Sequence, residues 1–149
     1  MKTLTIFLDI DGVLNTHTTA KENDWLICPK LVQRLNDFIH RKNQIDIVIS
    51  SSWRYDMKDL QFQLEGAGFK YWHKVIGKTP THKILTKRGE QIARWIKDND
   101  CSTPMVVIDD EVHDIVGYLP KVVILQTNPK FGISKELIEH LEILNREML

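Results

Sequence analysis

Four short apolar runs, rich in Val, Ile, Leu and Phe, are the feature of the sequence that most restricts its fold. They cover Leu4–Leu8, Ile45–Ile49, Met105–Ile108 and Val122–Leu125. Runs of this length and composition predict strands that are buried on both faces of a sheet. Because helical segments lie between them, we expect an α/β fold: a three-layer, doubly wound parallel sheet with helices on both faces.

Helices are predicted where apolar residues recur at helical spacing. The first helix is predicted to begin after Pro29, and the other three cover Met57 to Leu64, Gly89 to Lys97 and Ser134 to Met148. Ser134 is expected to be a helix N-cap, and Gly66 and Gly68 are expected to end the second helix. A further strand is predicted between Tyr71 and Ile76.

Length and composition limit the classes of protein to be considered. A chain of 149 residues that is 42% hydrophobic can bury one core, so residues 1–149 are expected to form a single domain. Lys plus Arg number 20, as do Asp plus Glu, so no overall field would attract nucleic acid or a membrane. Cys28 and Cys101 match no metal or disulfide pattern, which indicates reduced thiols in a cytoplasmic protein. No stretch is long enough to span a membrane, and no obligate protein partner is evident.

Polar residues follow three of the apolar runs directly. Asp9 and Asp11 come after the first run, Ser50 to Ser52 after the second, and Asp109 to Glu111 after the third. In an open parallel sheet, ligands bind beyond the carboxyl ends of the strands. A functional site is therefore predicted at that edge.

The carboxylates in this set suggest a metal-assisted reaction. In an extended chain Asp9 and Asp11 would point the same way, with a turn beginning at Gly12. Paired carboxylates repel, so one must be protonated or neutralised by a cation, and Asp109 and Asp110 would add further oxygen ligands for Mg²⁺. One carboxylate can then act as a nucleophile while a second carboxyl group donates a proton, and Asp9 and Asp11 fit these two roles.

A phosphate group would also need a hydroxyl and a cation to hold its oxygens. Ser50 or Ser51 could supply the hydroxyl, and Lys87 or Arg88 could supply the cation. Both pairs have a plainer interpretation, because serines there could cap the following helix and the basic residues could form a solvated surface.

The four motifs, taken in order, resemble the haloacid dehalogenase (HAD) superfamily of phosphotransferases. They are Phe7-Leu8-Asp9-Ile10-Asp11-Gly12-Val13, Ile47-Val48-Ile49-Ser50-Ser51, Lys87-Arg88-Gly89-Glu90 and Val106-Val107-Ile108-Asp109-Asp110. More narrowly, the segments Asp11–Asn15, Ser51–Arg54, Gly77–Pro80, Arg88–Ile92 and Ile108–Glu111 resemble the branch grouped with Swiss Army knife RNA-repair proteins.

The resemblance implies a role for each acidic residue. Asp9 would be the nucleophile and an Mg²⁺ ligand. Asp11 would be the general acid and base and would bind Mg²⁺ through its backbone carbonyl. Asp109 or Asp110 would complete the metal site.

For the phosphate, the resemblance leaves two choices open. Ser51 is the favoured hydroxyl because of its Ser-x-Trp setting, and Ser50 is the alternative. Arg88 fits the narrower branch, whereas Lys87 fits the wider superfamily. Nearby, Trp53 and Trp25 could stack on a base or pack in the core, and His17 is expected to be a loop residue.

The gaps between the motifs bear on the substrate. Asn15 to Gln44 and Tyr55 to Thr86 leave no room for a large cap domain, so the site is expected to be open. An open site could admit a phosphate at the end of a nucleic acid, although the neutral charge of the chain weakens this hypothesis. Phosphatases of nucleotides, other small metabolites or phosphoprotein are the alternative. A non-catalytic module that binds phosphorylated ends is an alternative of another class.

Overall fold

The computed structural model describes residues 3–16, 18, 26–81 and 84–148. At its centre lies a parallel sheet of five strands in the order β3-β2-β1-β4-β5. The strands are β1 (Leu4–Leu8), β2 (Ile45–Ile49), β3 (Val75–Lys78), β4 (Met105–Asp109) and β5 (Val123–Gln126). The predicted doubly wound α/β fold is confirmed.

The predicted helices are present with small changes at their ends. They are α1 (Pro29–Ile39), α2 (Met57–Gly66), α3 (Arg88–Asp98) and α4 (Lys135–Met148), and short 3₁₀ helices cover Ser52–Tyr55 and Trp72–Lys74. The hydroxyl of Ser134 accepts a hydrogen bond from the Leu137 N–H at 3.1 Å, which confirms the N-cap. Gly66 lies inside the last turn of α2, and the chain reverses at Gly68, whose φ is +100°.

The strand predicted between Tyr71 and Ile76 lies further along the chain. Tyr71 and Trp72 are strand-like in type, but they pack on the core from the 3₁₀ segment before β3. The strand continues to Lys78 because its backbone pairs with β2, Gly77 opposite Val48 and Lys78 opposite Ile49. Backbone pairing requires no apolar side chain at these two residues, so the strand predicted from apolar residues ended too early.

The two faces of the sheet are covered by different helices. On one face the apolar side chains of β1, including Leu4, Ile6 and Leu8, pack with residues of α1, α2 and α4. On the other face Phe7 packs with Ile92 and Trp95 of α3. With helices on both faces, β1 and β4 flank the point at which the strand order reverses, where an open parallel sheet binds its ligands.

The connections between the motifs are short. In the described part of the chain from Ser50 to Lys87, the regular elements are the two 3₁₀ helices, α2 and β3, and residues 9–28 separate β1 from α1. No large cap domain fits in either connection, as the sequence predicts. Within the described residues, no helix has both the length and the apolar character that crossing a membrane requires.

Candidate active site

Three carboxylates meet at the carboxyl ends of β1 and β4. Asp9 directly follows β1 and is 3% exposed, while Asp109 ends β4 and is fully buried. Asp110, the next residue, is half-buried. One carboxylate oxygen from each of the three lies within 4.8 Å of the others. Of the four residues predicted to bind metal, the structure therefore brings three side chains together.

The alternation of side chains along the strands explains which face this pocket occupies. Phe7, Val48 and Val107 face α3, so the residues two positions further along point to the same side. Those residues are Asp9, Ser50 and Asp109. Three adjacent strands thus each place one polar side chain toward the start of α3. This alternation can be read from the sequence, and it places Ser50 on the same face as Asp9 and Asp109.

Arg88, the first residue of α3, is the cation that reaches the pocket. Its Nη1 donates a hydrogen bond to Asp109 Oδ2 at 2.6 Å and lies 3.4 Å from Asp9 Oδ1. Lys87 lies just before the helix and is exposed. Of the two predicted cations, the structure thus places Arg88 against the carboxylates and leaves Lys87 at the surface.

The start of α3 is itself fixed by the segment after β4. Asp114 Oδ2 accepts a hydrogen bond from the Arg88 backbone N–H at 3.2 Å, and the Asp114 carbonyl accepts one from Gly89 N–H at 3.0 Å. A Cβ on Gly89 would lie 2.8 Å from the Tyr118 side chain, so only glycine allows the two segments to approach this closely. Asp114 therefore supports the residue that carries the guanidinium.

Burial dominates the electrostatics of the pocket. Burial, assisted by the charge of Asp109, raises the pKa of Asp9 to about 9 against the opposing effect of Arg88. Burial also raises the pKa of Asp109, although Arg88 opposes that shift. Burial would lower the pKa of Arg88, but the charges of Asp109 and Asp9 outweigh it and hold the pKa above its usual value.

The donor set of the pocket fits a hard divalent cation. Its three carboxylates are oxygen ligands, which Mg²⁺ prefers, and one guanidinium lies against them. A raised carboxyl pKa is the expected mark of excess negative charge under burial, which a bound cation would relieve.

The Asp11 carboxylate is not part of this cluster. The chain turns immediately after Ile10, whose carbonyl accepts hydrogen bonds from Val13 N–H and Leu14 N–H, so the extended geometry assumed in the sequence analysis is lost. Asp11 is exposed, and its Oδ1 accepts hydrogen bonds from Asn15 Nδ2 at 2.9 Å and from Trp53 Nε1 at 3.0 Å. The two motif aspartates therefore occupy different environments, and the expectation of an extended chain up to a turn at Gly12 is wrong.

Gly12 allows this turn to lie against the carboxylate pocket. Its φ is +78°, and a Cβ at this position would collide with the Asp110 side chain. The Gly12 carbonyl also accepts a 2.8 Å hydrogen bond from the buried hydroxyl of Thr127, which follows β5. The first motif is thus anchored by the chain after both β4 and β5.

The two candidate serines make different contacts. The Ser51 hydroxyl accepts a hydrogen bond from the Trp53 backbone N–H at 3.2 Å and so caps the 3₁₀ helix that follows. The Ser50 hydroxyl is fully buried and has no hydrogen-bond partner within the described residues. A buried hydroxyl without a partner is costly, which indicates a place for a ligand atom or water.

Arg54 is a residue that the sequence analysis did not select. It is only 4% exposed, and its Nη1 donates to the carbonyls of Ser50 at 3.3 Å and Ser51 at 2.9 Å. Its Nη2 donates to Gln91 Oε1 on α3 at 3.0 Å. Burial lowers the pKa of Arg54. This guanidinium links the loop after β2 to α3. Arg54 directly follows the Ser-x-Trp motif, and this position in the sequence was the signal that could have identified it.

Trp53 makes the core contacts that the packing interpretation predicts. It is half-buried and packs against the core, and its indole N–H bonds to Asp11. Trp25 and His17 lie outside the described residues.

The sequence as a whole matches a known family. The model of the HAD domain in Swiss Army Knife RNA repair proteins matches residues 5–138. The chain belongs to this family. Its four motifs are therefore those of a HAD domain, a type for which phosphatase chemistry and Mg²⁺ are typical.

Solved structures support the HAD fold. The HAD domain of the effector protein Lem4 from Legionella pneumophila is 15% identical to this chain, with a TM-score of 0.65, and the match covers 99% of this chain and 95% of that one. An inactive mutant of the same domain is 14% identical, with the same TM-score and coverage. No curated protein sequence gives a significant match. At such low identity the likeness shows the fold alone.

Proposed function

We propose that this HAD domain is a Mg²⁺-dependent phosphomonoester hydrolase that works through an aspartyl-phosphate intermediate. The observation that carries the proposal is the buried cluster of Asp9, Asp109 and Asp110, with Arg88 bonded to it. Such a cluster is expensive to bury, and a structural role alone would be served better by apolar residues. Perturbed carboxyl groups at the end of a strand are typical of functional sites.

The residues that would hold Mg²⁺ are Asp9, Asp109 and Asp110, together with the backbone carbonyl of Asp11. Bound Mg²⁺ would neutralise negative charge, so that an anionic carboxylate can meet an anionic phosphate. The raised pKa of Asp9 supports this need, because the nucleophile must lose its proton before it can attack.

Asp9 and Asp11 would divide the chemistry between them. A carboxylate oxygen of Asp9 attacks phosphorus, the bond from phosphorus to the leaving oxygen breaks, and Asp11 gives that oxygen its proton. Asp11 then takes a proton from water, whose oxygen attacks phosphorus and releases both phosphate and the Asp9 carboxylate. The exposure of Asp11 supports its role, because a group that gives and takes protons in turn must lie where water reaches.

Ser50 and Arg88 would bind the non-bridging phosphate oxygens. The Ser50 hydroxyl faces the α3 side and lacks a partner within the described residues, whereas the Ser51 hydroxyl already caps the 3₁₀ helix. Arg88 lies within reach of Asp9, and Lys87 is at the surface. These contacts favour Ser50 and Arg88 over the alternatives Ser51 and Lys87.

The substrate that we propose is a terminal phosphate of a nucleic acid. The short connections around the site leave it open to a polymer end, and the matching family is described from RNA repair proteins. The alternative substrates are nucleotides, other small phosphorylated metabolites and phosphoprotein. Phosphate release from 3′- and 5′-phosphorylated oligonucleotides should exceed release from free nucleotides, and equal or greater rates on nucleotides would eliminate the polymer.

The decisive test of catalysis is hydrolysis of an aryl phosphate by the wild-type protein and Asp9→Asn. We expect Mg²⁺-dependent release that chelator abolishes and that Asp9→Asn lowers at least about a thousandfold, because the nucleophile is lost. Asp46→Asn is the matched control, since Asp46 is half-buried at the opposite end of β2. Activity that survives Asp9→Asn would refute the mechanism. Absence of hydrolysis by the wild-type protein, with phosphorylated ends still bound, would favour the non-catalytic module.

A further inference from the structure

Asp11 is exposed, so its carboxyl group is not fixed by surrounding core residues. The residue lies on a turn at the surface, where burial does not restrict the side chain. A general acid must nevertheless be held within hydrogen-bonding reach of the leaving oxygen. Some other contact must therefore hold the carboxyl group.

Two donors converge on one oxygen of this carboxyl group. Trp53 Nε1 and Asn15 Nδ2 both donate to Asp11 Oδ1, at 3.0 and 2.9 Å. A carboxyl oxygen accepts about two such bonds, so Oδ1 is saturated, and within the described residues Oδ2 is the oxygen left for the substrate. Asn15 Oδ1 accepts a hydrogen bond from Gly12 N–H at 3.0 Å, which fixes the amide in this orientation.

The Trp53 indole, in contrast to the exposed carboxyl group, is fixed by several contacts. The Ser51 hydroxyl caps the Trp53 backbone, the ring packs against the core, and Arg54 bonds the carbonyls that precede it. The contact also joins two strands of the sheet, because Asp11 follows β1 and Trp53 follows β2. A rigid group on the second loop therefore restrains a carboxyl group on the first.

We propose that Trp53 is a positioning residue for Asp11: its indole N–H, acting with Asn15, engages Oδ1 and presents Oδ2 to the leaving oxygen. The inference rests on the proposed phosphatase function and adds a residue to it. It also gives Ser51 a role distinct from phosphate binding, which is to orient the segment that carries the indole.

The test compares Trp53→Phe with the matched control Trp72→Phe. Trp72 is also half-buried and packs on the same core, but it lies before β3, at the opposite end of the sheet. With an alkyl phosphate, whose leaving oxygen needs a proton, kcat of Trp53→Phe should fall about tenfold. With p-nitrophenyl phosphate, whose leaving group needs little help, the change should stay below about twofold. Trp72→Phe should leave both rates near those of the wild-type protein.

A double variant shows whether the effect passes through Asp11. In an Asp11→Asn background, Trp53→Phe should lower the rate on the alkyl phosphate no further. Asn15→Ala, which removes the second donor, should give the same dependence on the leaving group and serves if Trp53→Phe does not fold. Equal losses on both substrates, or additive losses in the double variant, would overturn the inference while leaving the phosphatase intact. A wild-type protein without Mg²⁺-dependent hydrolysis would overturn both.

Discussion

Two regions of the site hold their carboxylates in opposite ways. In the buried pocket, Asp9 and Asp109 are almost fully withdrawn from solvent and bonded to Arg88. In the exposed turn, Asp11 faces solvent and is restrained by neutral donors from Asn15 and Trp53. Only Ile10 separates Asp9 from Asp11, so their different environments depend on the turn that begins there rather than on the strand.

The contrast shows how one motif can serve two kinds of chemistry. A nucleophile that shares a cation with other carboxylates gains from burial, because charge interactions strengthen away from water. A group that gives and takes protons needs access to water and a fixed direction, and hydrogen bonds at the surface supply both. Catalysis should therefore be sensitive to a change of charge in the pocket and to the loss of a hydrogen-bond donor at the turn.

Loss of the Arg88 guanidinium should have the largest effect in this comparison. Arg88→Ala should lower kcat/KM on an aryl phosphate by about 10² to 10³, because it removes a charged contact in the pocket. Lys87→Ala, one residue away at the surface, should change it by less than about threefold. Steady-state kinetics at saturating Mg²⁺ measures both. Comparable losses from the two variants would mean that both cations reach the phosphate.

Substitutions of the two serines should also differ from each other, with smaller effects than that of Arg88→Ala. Ser50→Ala should lower kcat/KM about 10- to 100-fold at nearly unchanged stability, because its hydroxyl has no partner in the described structure. Ser51→Ala should instead lower the free energy of unfolding by about 1 kcal/mol through loss of the cap. Kinetics and urea unfolding distinguish the two, and the reverse pattern would make Ser51 the phosphate ligand.

The sequence predicted the fold because its apolar runs and helical spacing agree with the observed elements. The part that it missed, the bounds of β3, depends on backbone pairing with β2 at Gly77 and Lys78. Propensity carries no trace of such pairing, since an edge strand need not be apolar.

Within the site, the sequence identified the residues but not their surroundings. It could not separate Lys87 from Arg88, because adjacent helical residues point in different directions and the first residue of α3 was uncertain by one position. It placed Asp9 and Asp11 together because period-2 alternation was extended past Ile10, where the chain already turns. The contacts of Trp53 and Arg54 depend on loops that meet only in the folded chain.

The two regions should also differ in stability in the absence of a divalent cation. Burial raises the folded-state pKa of Asp9 to about 9, whereas an unfolded chain releases this proton near pH 4. Between these values the unfolded state loses a proton that the folded state keeps. The stability of the wild-type protein in chelator should therefore be fully present below about pH 4 and decrease as the pH rises toward about 9.

Asp9→Asn removes this titration and should isolate its cost. In chelator at pH 8, the variant should exceed the wild-type protein in free energy of unfolding by about 1 to 3 kcal/mol, with a smaller gain at pH 5. Asp11→Asn, at the exposed turn, should change stability by less than about 0.5 kcal/mol at either pH. At saturating Mg²⁺ the wild-type protein should be more stable than Asp9→Asn, because only the carboxylate gains a charged ligand. Thermal and urea unfolding across this pH range measure these differences, and a pH-independent gain for Asp9→Asn would show that charge burial does not distinguish the two regions.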